Sequence, residues 1–299
     1  MTNIQAGSQG GVAVIVATCG RAPLVNILLQ NLERQTRRPD AVYVVGASED
    51  DIAGLDHGQQ GLTTVVGRRG SSSQRNDGLR LAGDRFSTIV FFDDDFIPSR
   101  YWIETVANLY EENPDVVSIT GSLLADGATG SRTSLIEGTD LVATKDKEGP
   151  KRGLLNDGFG PYGCNMSFRF SAIADVSFDE RLPLYAWLED CDMGGQIKGR
   201  GRQVRAEALW GVHLAHRTER TRGVPLGYSQ ISNAVYIARK GGISALFLAK
   251  LAAGNFVKNL LRAARPEPLI DRRGRLRGNL LAILDILRGR VTPERAGKL

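Results

Sequence analysis

Cysteine is scarce in this 299-residue chain: Cys19, Cys164 and Cys191 are an odd number and form no Cys-x-x-Cys pair. A disulfide framework and a structural zinc site are therefore not what organises it, and a reducing cytoplasm is the expected compartment. No secretory leader is expected either, because Met1 to Gly10 is polar and has neither a basic start nor an apolar stretch. Long apolar runs are absent. The longest, Ile243 to Leu261, is interrupted by Lys250, Asn255, Lys258 and Asn259, and a lysine at a bilayer centre costs about 3 kcal/mol. No spanning helix is expected. The remaining composition, 42% hydrophobic and 24% charged, is that of a globular protein with a sizeable core. A net charge of +5 suits nucleic acid, an anionic membrane face or phosphate-bearing substrates, depending on where the charge lies.

From residue 11 to 18 the run GVAVIVAT is continuously apolar and β-branched, as in a strand covered on both faces of a mostly parallel sheet. It stops at Cys19-Gly20-Arg21, and Leu24, Ile27, Leu28 and Leu32 then recur at helical spacing behind Pro23, which predicts a helix over 22–35. The same alternation gives strands at 41–46, 63–66, 87–92 and 116–120, with helices over 73–82 and 100–112. Such a pattern implies a doubly wound α/β sheet that binds ligands beyond the carboxyl ends of its strands. Residues 121–160 lose periodicity and read as a long loop or lid. Regular structure resumes at Cys164, a helix is expected over 185–198, and a shift towards Leu, Ala, Lys and Arg marks a boundary at 222. The expected division is 1–222 and 223–299.

The fourth of these strands ends in Asp93-Asp94-Asp95. Like charges a few ångströms apart resist burial, and a divalent cation relieves them, so an Asp-x-Asp pair, Asp93 and Asp95, is the natural metal and ribose element. A solvated acidic turn capping the next helix is the plainer reading. Leu188-Glu189-Asp190-Cys191-Asp192 packs three acids at a helix start, which suits simple capping; it also suits a general base, Asp190 first and Glu189 second. His213, in a short apolar run returning to the sheet edge, is a candidate metal ligand, with His216 next. Arg75-Asn76-Asp77-Gly78 opens a helix after serines and would face a phosphate, together with Thr18, Gly20 and Arg21 at the end of the first strand.

Taken in order, these motifs resemble the family-2 glycosyltransferases. VIVATCGR is similar to that family's first strand and nucleotide-binding turn, QRNDGL to its Arg-Asn-x-Gly element, FFDDDF to its Asp-x-Asp element, and GPYGCNMSFR with WLEDCDMGGQIKGRGRQV to its acceptor-side strand and Glu-Asp helix. The resemblance spans roughly residues 11 to 216. It implies a GT-A fold, meaning a Rossmann-like, mostly parallel mixed sheet flanked by helices, here with a C-terminal helical extension. It further implies an inverting transferase with Mg²⁺ or Mn²⁺ held by Asp95, Asp93 and His213. Its donor would be a nucleoside diphosphate sugar, UDP first, bound by Thr18, Gly20, Arg21, Arg75, Asn76, Asp93 and Asp94. Where the family's second strand ends in a base-reading Asp, this chain has Gly46 and Ala47, and Glu49 and Asp50 become the candidates. Gly194 and Gly195 stand where larger helix formers are usual, which suggests a short or closely packed helix.

The implied acceptor is a saccharide or lipid-linked saccharide hydroxyl, in polysaccharide or glycolipid assembly. Residues 223–299 mix leucines with Lys250, Lys258, Arg262, Arg265, Arg272, Arg273, Arg275 and Arg277. This basic amphipathic stretch either lies on an anionic inner leaflet or caps the main domain. Nucleic acid is not an expected partner, since aromatics are not interleaved with the cations and no reader module is present. A nucleotidyltransferase would need a Gly-rich loop with a lysine near the first strand, which Cys19-Gly20-Arg21-Ala22 is not. An inactive nucleotide-sugar-binding relative would not need both acidic clusters.

Overall fold

The structure, a computed structural model, describes residues 11–55, 61–128, 133–153, 155–158, 160–216 and 223–299. In chain order its elements are β1 (Val12–Thr18), α1 (Ala22–Glu33), β2 (Ala41–Gly46), the one-turn α2 (Glu49–Ile52), β3 (Leu62–Val66), α3 (Ser71–Ala82), β4 (Thr88–Asp93), β5 (Phe96–Pro98), α4 (Trp102–Glu112) and β6 (Val116–Asp126). They continue with α5 (Leu135–Asp146), β7 (Leu155–Asp157), β8 (Asn165–Arg169), the short α6 (Phe170–Ile173), α7 (Glu189–Gln196), β9 (Arg202–His213), α8 (Gly223–Lys240), α9 (Ala245–Arg262) and α10 (Arg272–Leu287). Contacts group the chain into two units: Met1–Arg69, Ser73–Ser177 and Ile197–His216 in the first, and Gly70–Ser72, Phe178–Gln196 and Arg217–Leu299 in the second.

The first unit is built on one mixed sheet of order β3-β2-β1-β4-β8-β6-β9-β5, with β7 also paired to β9. β3, β2, β1 and β4 run parallel, β8 is antiparallel to both β4 and β6, and β6 and β9 are parallel to each other. The apolar β-branched runs explain the centre: Val12, Val14, Val16, Val42, Val44 and Val90 are all fully buried, as strands covered on both faces require. Leu28 and Leu32 of α1 and Trp102 and Val106 of α4 fill the same core, where Trp102 meets Phe92 edge-on at 4.8 Å. α3 approaches β1 so closely that a Cβ on Gly78 would lie 2.4 Å from Ile15 Cγ2. That glycine sets where Gln74 and Arg75, one turn earlier, stand relative to the strand ends.

Two expectations are corrected. The stretch 121–160 is not a structureless loop: β6 runs on to Asp126, and α5 follows with a capping box in which the Ser134 hydroxyl accepts from Glu137 N while the Glu137 carboxylate accepts from Ser134 N. The acidic helix starts at Glu189 rather than 185, because Leu184, Ala186 and Leu188 have left-handed φ of 59°, 50° and 74°.

In the second unit α8 and α10 meet backbone to backbone. Gly223 and Gly227 face Gly274 and Gly278; a Cβ on Gly227 would sit 2.0 Å from Arg275 O, and one on Gly278 would sit 2.2 Å from Val224 O. Around this crossing Asn279 donates to Gly227 O, Asn259 donates to both Gln230 and Asn279, and Arg272 donates to Asn259, so the buried amides satisfy one another. Gly227→Ala is expected to destabilise this unit by at least about 1–3 kcal/mol through overpacking against main chain. Gly254→Ala on α9, with nothing within 4 Å, should be neutral or stabilising by up to about 1 kcal/mol. Urea midpoints of the two variants read the contrast directly.

Candidate active site

Parallel pairing in register brings Thr18 beside Gly46 and Ala17 beside Asp93, so the loops leaving β1, β2 and β4 share one end of the sheet. Gln74 ties them together, donating from Nε2 to Thr18 O and Val45 O, both at 2.7 Å. The three aspartates leaving β4 are each held by side chains from other segments, Arg21 serving two of them. Asp93 Oδ1 accepts from the buried Arg75 at 2.8 Å. Asp94 accepts from the Thr18 hydroxyl and from Arg21, both at 2.8 Å. Asp95 accepts from Arg21 at 3.1 Å and, through the same oxygen, from His216 N at 2.6 Å. Burial pushes the Asp94 carboxyl upward despite the opposing Arg21 charge. Asp95 is also penalised by burial, but the nearby His213 imidazole outweighs it and holds the group below the usual range.

His213 ends β9 and pairs in register with Phe96 of β5 on one side and with Asp126 of β6 on the other. Register shifts between Gly121 and Ser122 and between Leu123 and Ala125 produce this alignment, and such bulges re-aim side chains. His213 Nδ1 lies 2.9 Å from Asp126 Oδ1, whose other oxygen accepts from Tyr162 OH at 3.0 Å. Nε2 then faces the acids, 3.5 Å from Asp95 Oδ1 and 3.8 Å from Asp93 Oδ2. Burial alone would lower the imidazole pKa, but the hydrogen bond to Asp126 and the nearby Asp95 carboxylate raise it. One ligand atom each from Asp93, Asp95 and His213 falls within 4.8 Å of the others. Asp95 Oδ1 is buried without a hydrogen-bond partner, as an oxygen awaiting a cation would be.

The other sequence candidates lie as follows. Thr18 and Arg21 stand at the site, but Thr18 uses its hydroxyl on Asp94, and Gly20 N donates to Asp51 Oδ1 at 2.5 Å. Asn76 is buried on α3 next to Arg75. Glu49 and Asp50 are exposed, and the acid turned inward is Asp51, which also accepts from Ala47 N and the Ser48 hydroxyl. His216 contributes its amide to Asp95, whereas the ring in the cluster is that of His213. Sequence reading missed Gln74, Asp51, Asp126 and Tyr162. Gln74 and Tyr162 stand inside the QRNDGL and GPYGCNMSFR stretches and Asp51 adjoins Glu49, so all three had a local signal; Asp126 had none, because its role depends on strand register.

In the second unit, Glu189 is buried and Asp190 half-buried at the first turn of α7. Asp190 Oδ1 accepts from Cys191 N at 2.7 Å. The three left-handed residues before them are fastened at several points: Ser71 N donates to Leu184 O, and Asn233 Nδ2 donates to Trp187 O. Strained backbone held this firmly is typical of functional segments. Asp192 faces Lys240 at 2.7 Å, and burial raises its pKa against that charge.

The mixed, mostly parallel sheet flanked by helices matches the architecture of GT-A glycosyltransferase structures. The family described as Glycosyl transferase family 2 matches residues 13–177, more than half of the chain, and the chain belongs to that family. Glucosyl-dolichyl phosphate glucuronosyltransferase of Haloferax volcanii is 26% identical over 174 residues, covering 55% of this chain and 54% of that protein, so the chain spans about half the length of this relative. Among solved structures, S. aureus TarS residues 1–349 in complex with UDP-GlcNAc has a TM-score of 0.57 at 14% identity, covering 97% of this chain and 83% of that one. The mannosyltransferase PcManGT of Pyrobaculum calidifontis, in complex with GDP-Man and Mn²⁺, has a TM-score of 0.50 at 18% identity, covering 95% and 84%. These likenesses establish the fold.

Asp126 fixes His213 Nδ1, so if the Asp93–Asp95–His213 cluster holds Mn²⁺, Asp126→Ala should weaken that binding about 10- to 100-fold, the usual effect of losing a carboxylate behind a histidine ligand. Titration of Mn²⁺ against the free protein by electron paramagnetic resonance measures this without any turnover.

Proposed function

We propose that this chain transfers a sugar, with inversion, from a nucleoside diphosphate donor to a hydroxyl acceptor, using Mg²⁺ or Mn²⁺ held by Asp93, Asp95 and His213. The observation that carries the reading is the convergence of these three side chains at parallel strand ends, with one buried carboxylate oxygen unpartnered, in a chain of this family. Two carboxylates and an imidazole are a donor set that suits such ions. When bound, the cation offsets charge developing on the departing diphosphate. The protein's own residues position everything else. Asp126 holds His213 so that Nε2 faces the acids, and Arg75 and Arg21 keep Asp93 and Asp94 aligned. Arg21, with its side chain 36% exposed against 4% for Arg75, is the arginine open to a phosphate.

Asp190 is the proposed base, being more accessible than the buried Glu189, which positions the helix start. The acceptor oxygen loses its proton to the Asp190 carboxylate as it bonds to the anomeric carbon, and the bond from that carbon to the diphosphate oxygen breaks on the opposite side. A single in-line displacement inverts the anomeric centre. UDP sugars are the first donors to examine, with GDP sugars next, since the two solved complexes hold UDP-GlcNAc and GDP-Man. The proposed acceptor is a saccharide or lipid-linked saccharide, in keeping with the Haloferax volcanii relative, whose name specifies glucosyl-dolichyl phosphate.

Calorimetric binding of UDP, GDP and dTDP, each with Mn²⁺ and with chelator, tests the donor half. One nucleotide should bind only with metal, and Asp95→Ala should lose that binding. Asp190→Asn should bind the same nucleotide with affinity close to wild type and lose at least about 100-fold in turnover, the usual scale of general-base catalysis. Equal loss of binding in both variants would refute this division of roles, and no metal-dependent binding at all would favour a relative without transferase activity.

A further inference from the structure

Helix α9, ALFLAKLAAGNFVKNLLR, contains no acidic residue. Leu248 and Asn259 are buried on one side, with Leu251, Ala252, Asn255 and Phe256 half-buried beside them. At about 100° per residue the opposite face carries Leu246, Val257 and Leu261, flanked by Phe247 and Leu260. Their exposure runs from 48% at Phe247 to 73% at Leu261. Lys250 rises among them, and Lys258 and Arg262 line one flank; all three are exposed. A monomeric surface seldom presents so many large apolar side chains together unless something covers them.

The surrounding charge says what. Between residues 241 and 299 there are twelve Lys and Arg but four Asp and Glu, although the whole chain carries only +5. Each of those four acids already has a partner: Glu267 pairs with Arg272, Asp285 with Arg295, Glu294 with Arg181, and Asp271 caps α10 by accepting from Gly274 N. The face of α9 is thus apolar and uncompensated positive at once. A second copy of the chain would bring like charges together, Lys250 above all.

We propose that this face of α9 docks on a lipid bilayer bearing anionic headgroups. Lys250 sets the depth: its stem lies along the leucines while its ammonium reaches phosphate, which keeps the helix at headgroup level. None of the described helices is long and apolar enough to cross a membrane, so the contact is with the surface. The interaction is independent of donor chemistry and is tested without nucleotide.

The experiment is co-sedimentation of the full chain with phosphatidylcholine vesicles, with and without phosphatidylglycerol, at low and high salt. The chain should sediment with the anionic vesicles only, and less so at high salt. Lys250→Gln with Lys258→Gln should lower the partition coefficient about thirtyfold, from about 1 kcal/mol per cation, and Leu246→Ser with Leu261→Ser should also lower it. Failure of the unmodified chain to sediment with anionic vesicles would overturn the proposal, as would binding that ignores both salt and the lysine substitutions. A dimer in light scattering that Leu261→Ser dissolves, with vesicle binding unchanged, would likewise overturn it and assign the face to a second copy.

Discussion

Three adjacent carboxylates at the end of a buried strand are the constraint around which the first unit is arranged. Left to themselves Asp93, Asp94 and Asp95 would repel one another and resist leaving water. Counterparts come instead from three parts of the chain: Arg75 from α3 for Asp93, Thr18 and Arg21 from the turn after β1 for Asp94, and Arg21 again with His213 and the His216 amide from the end of β9 for Asp95. Satisfying the acids therefore fixes where three distant segments end. Gly78 lets α3 come close enough for Arg75 to reach, and the irregular pairing of β6 with β9 delivers His213 opposite Asp126. Ala215, left-handed at φ 48°, allows the chain to turn back so that the next amide finds Asp95.

The second unit solves a different problem, that of holding an acidic helix start in a strained approach. Leu182, Ala186 and Leu188 are buried with Ala234, Ile237 and Leu248, so apolar packing offsets the cost of the left-handed residues. Asn233 and Ser71 fix two of the intervening carbonyls. Cys164, buried, and Cys191, half-buried, both have raised thiol pKa values, Cys164 to about 12, chiefly through loss of solvent.

Much of this could be read in advance where the signal is local. The β-branched runs gave the buried parallel strands, and the aspartates at the end of one of them stand where that reading put them. The mixed α/β fold also follows the pattern of alternation. What could not be read depends on register: nothing in the sequence around Asp126 distinguishes it until β6 and β9 are aligned with their bulges. The α5 helix was legible and overlooked, since Ser134 followed by Glu137 is a capping-box signature. The segment before α7 misled for a physical reason: Leu184, Ala186 and Leu188 all favour helix locally, and tertiary fastening overrides that preference.

The crossing of α8 and α10 has a further consequence. Because main chain touches main chain at Gly223, Gly227, Gly274 and Gly278, its geometry depends on those four positions and on the amide network beside them. The outward rows of the helical unit are thereby released from any duty in packing. Mutation can repaint those rows, in charge or in apolar area, while the scaffold underneath keeps its shape. A lineage could retarget this surface to a new environment without having to refold the unit that carries Asp190.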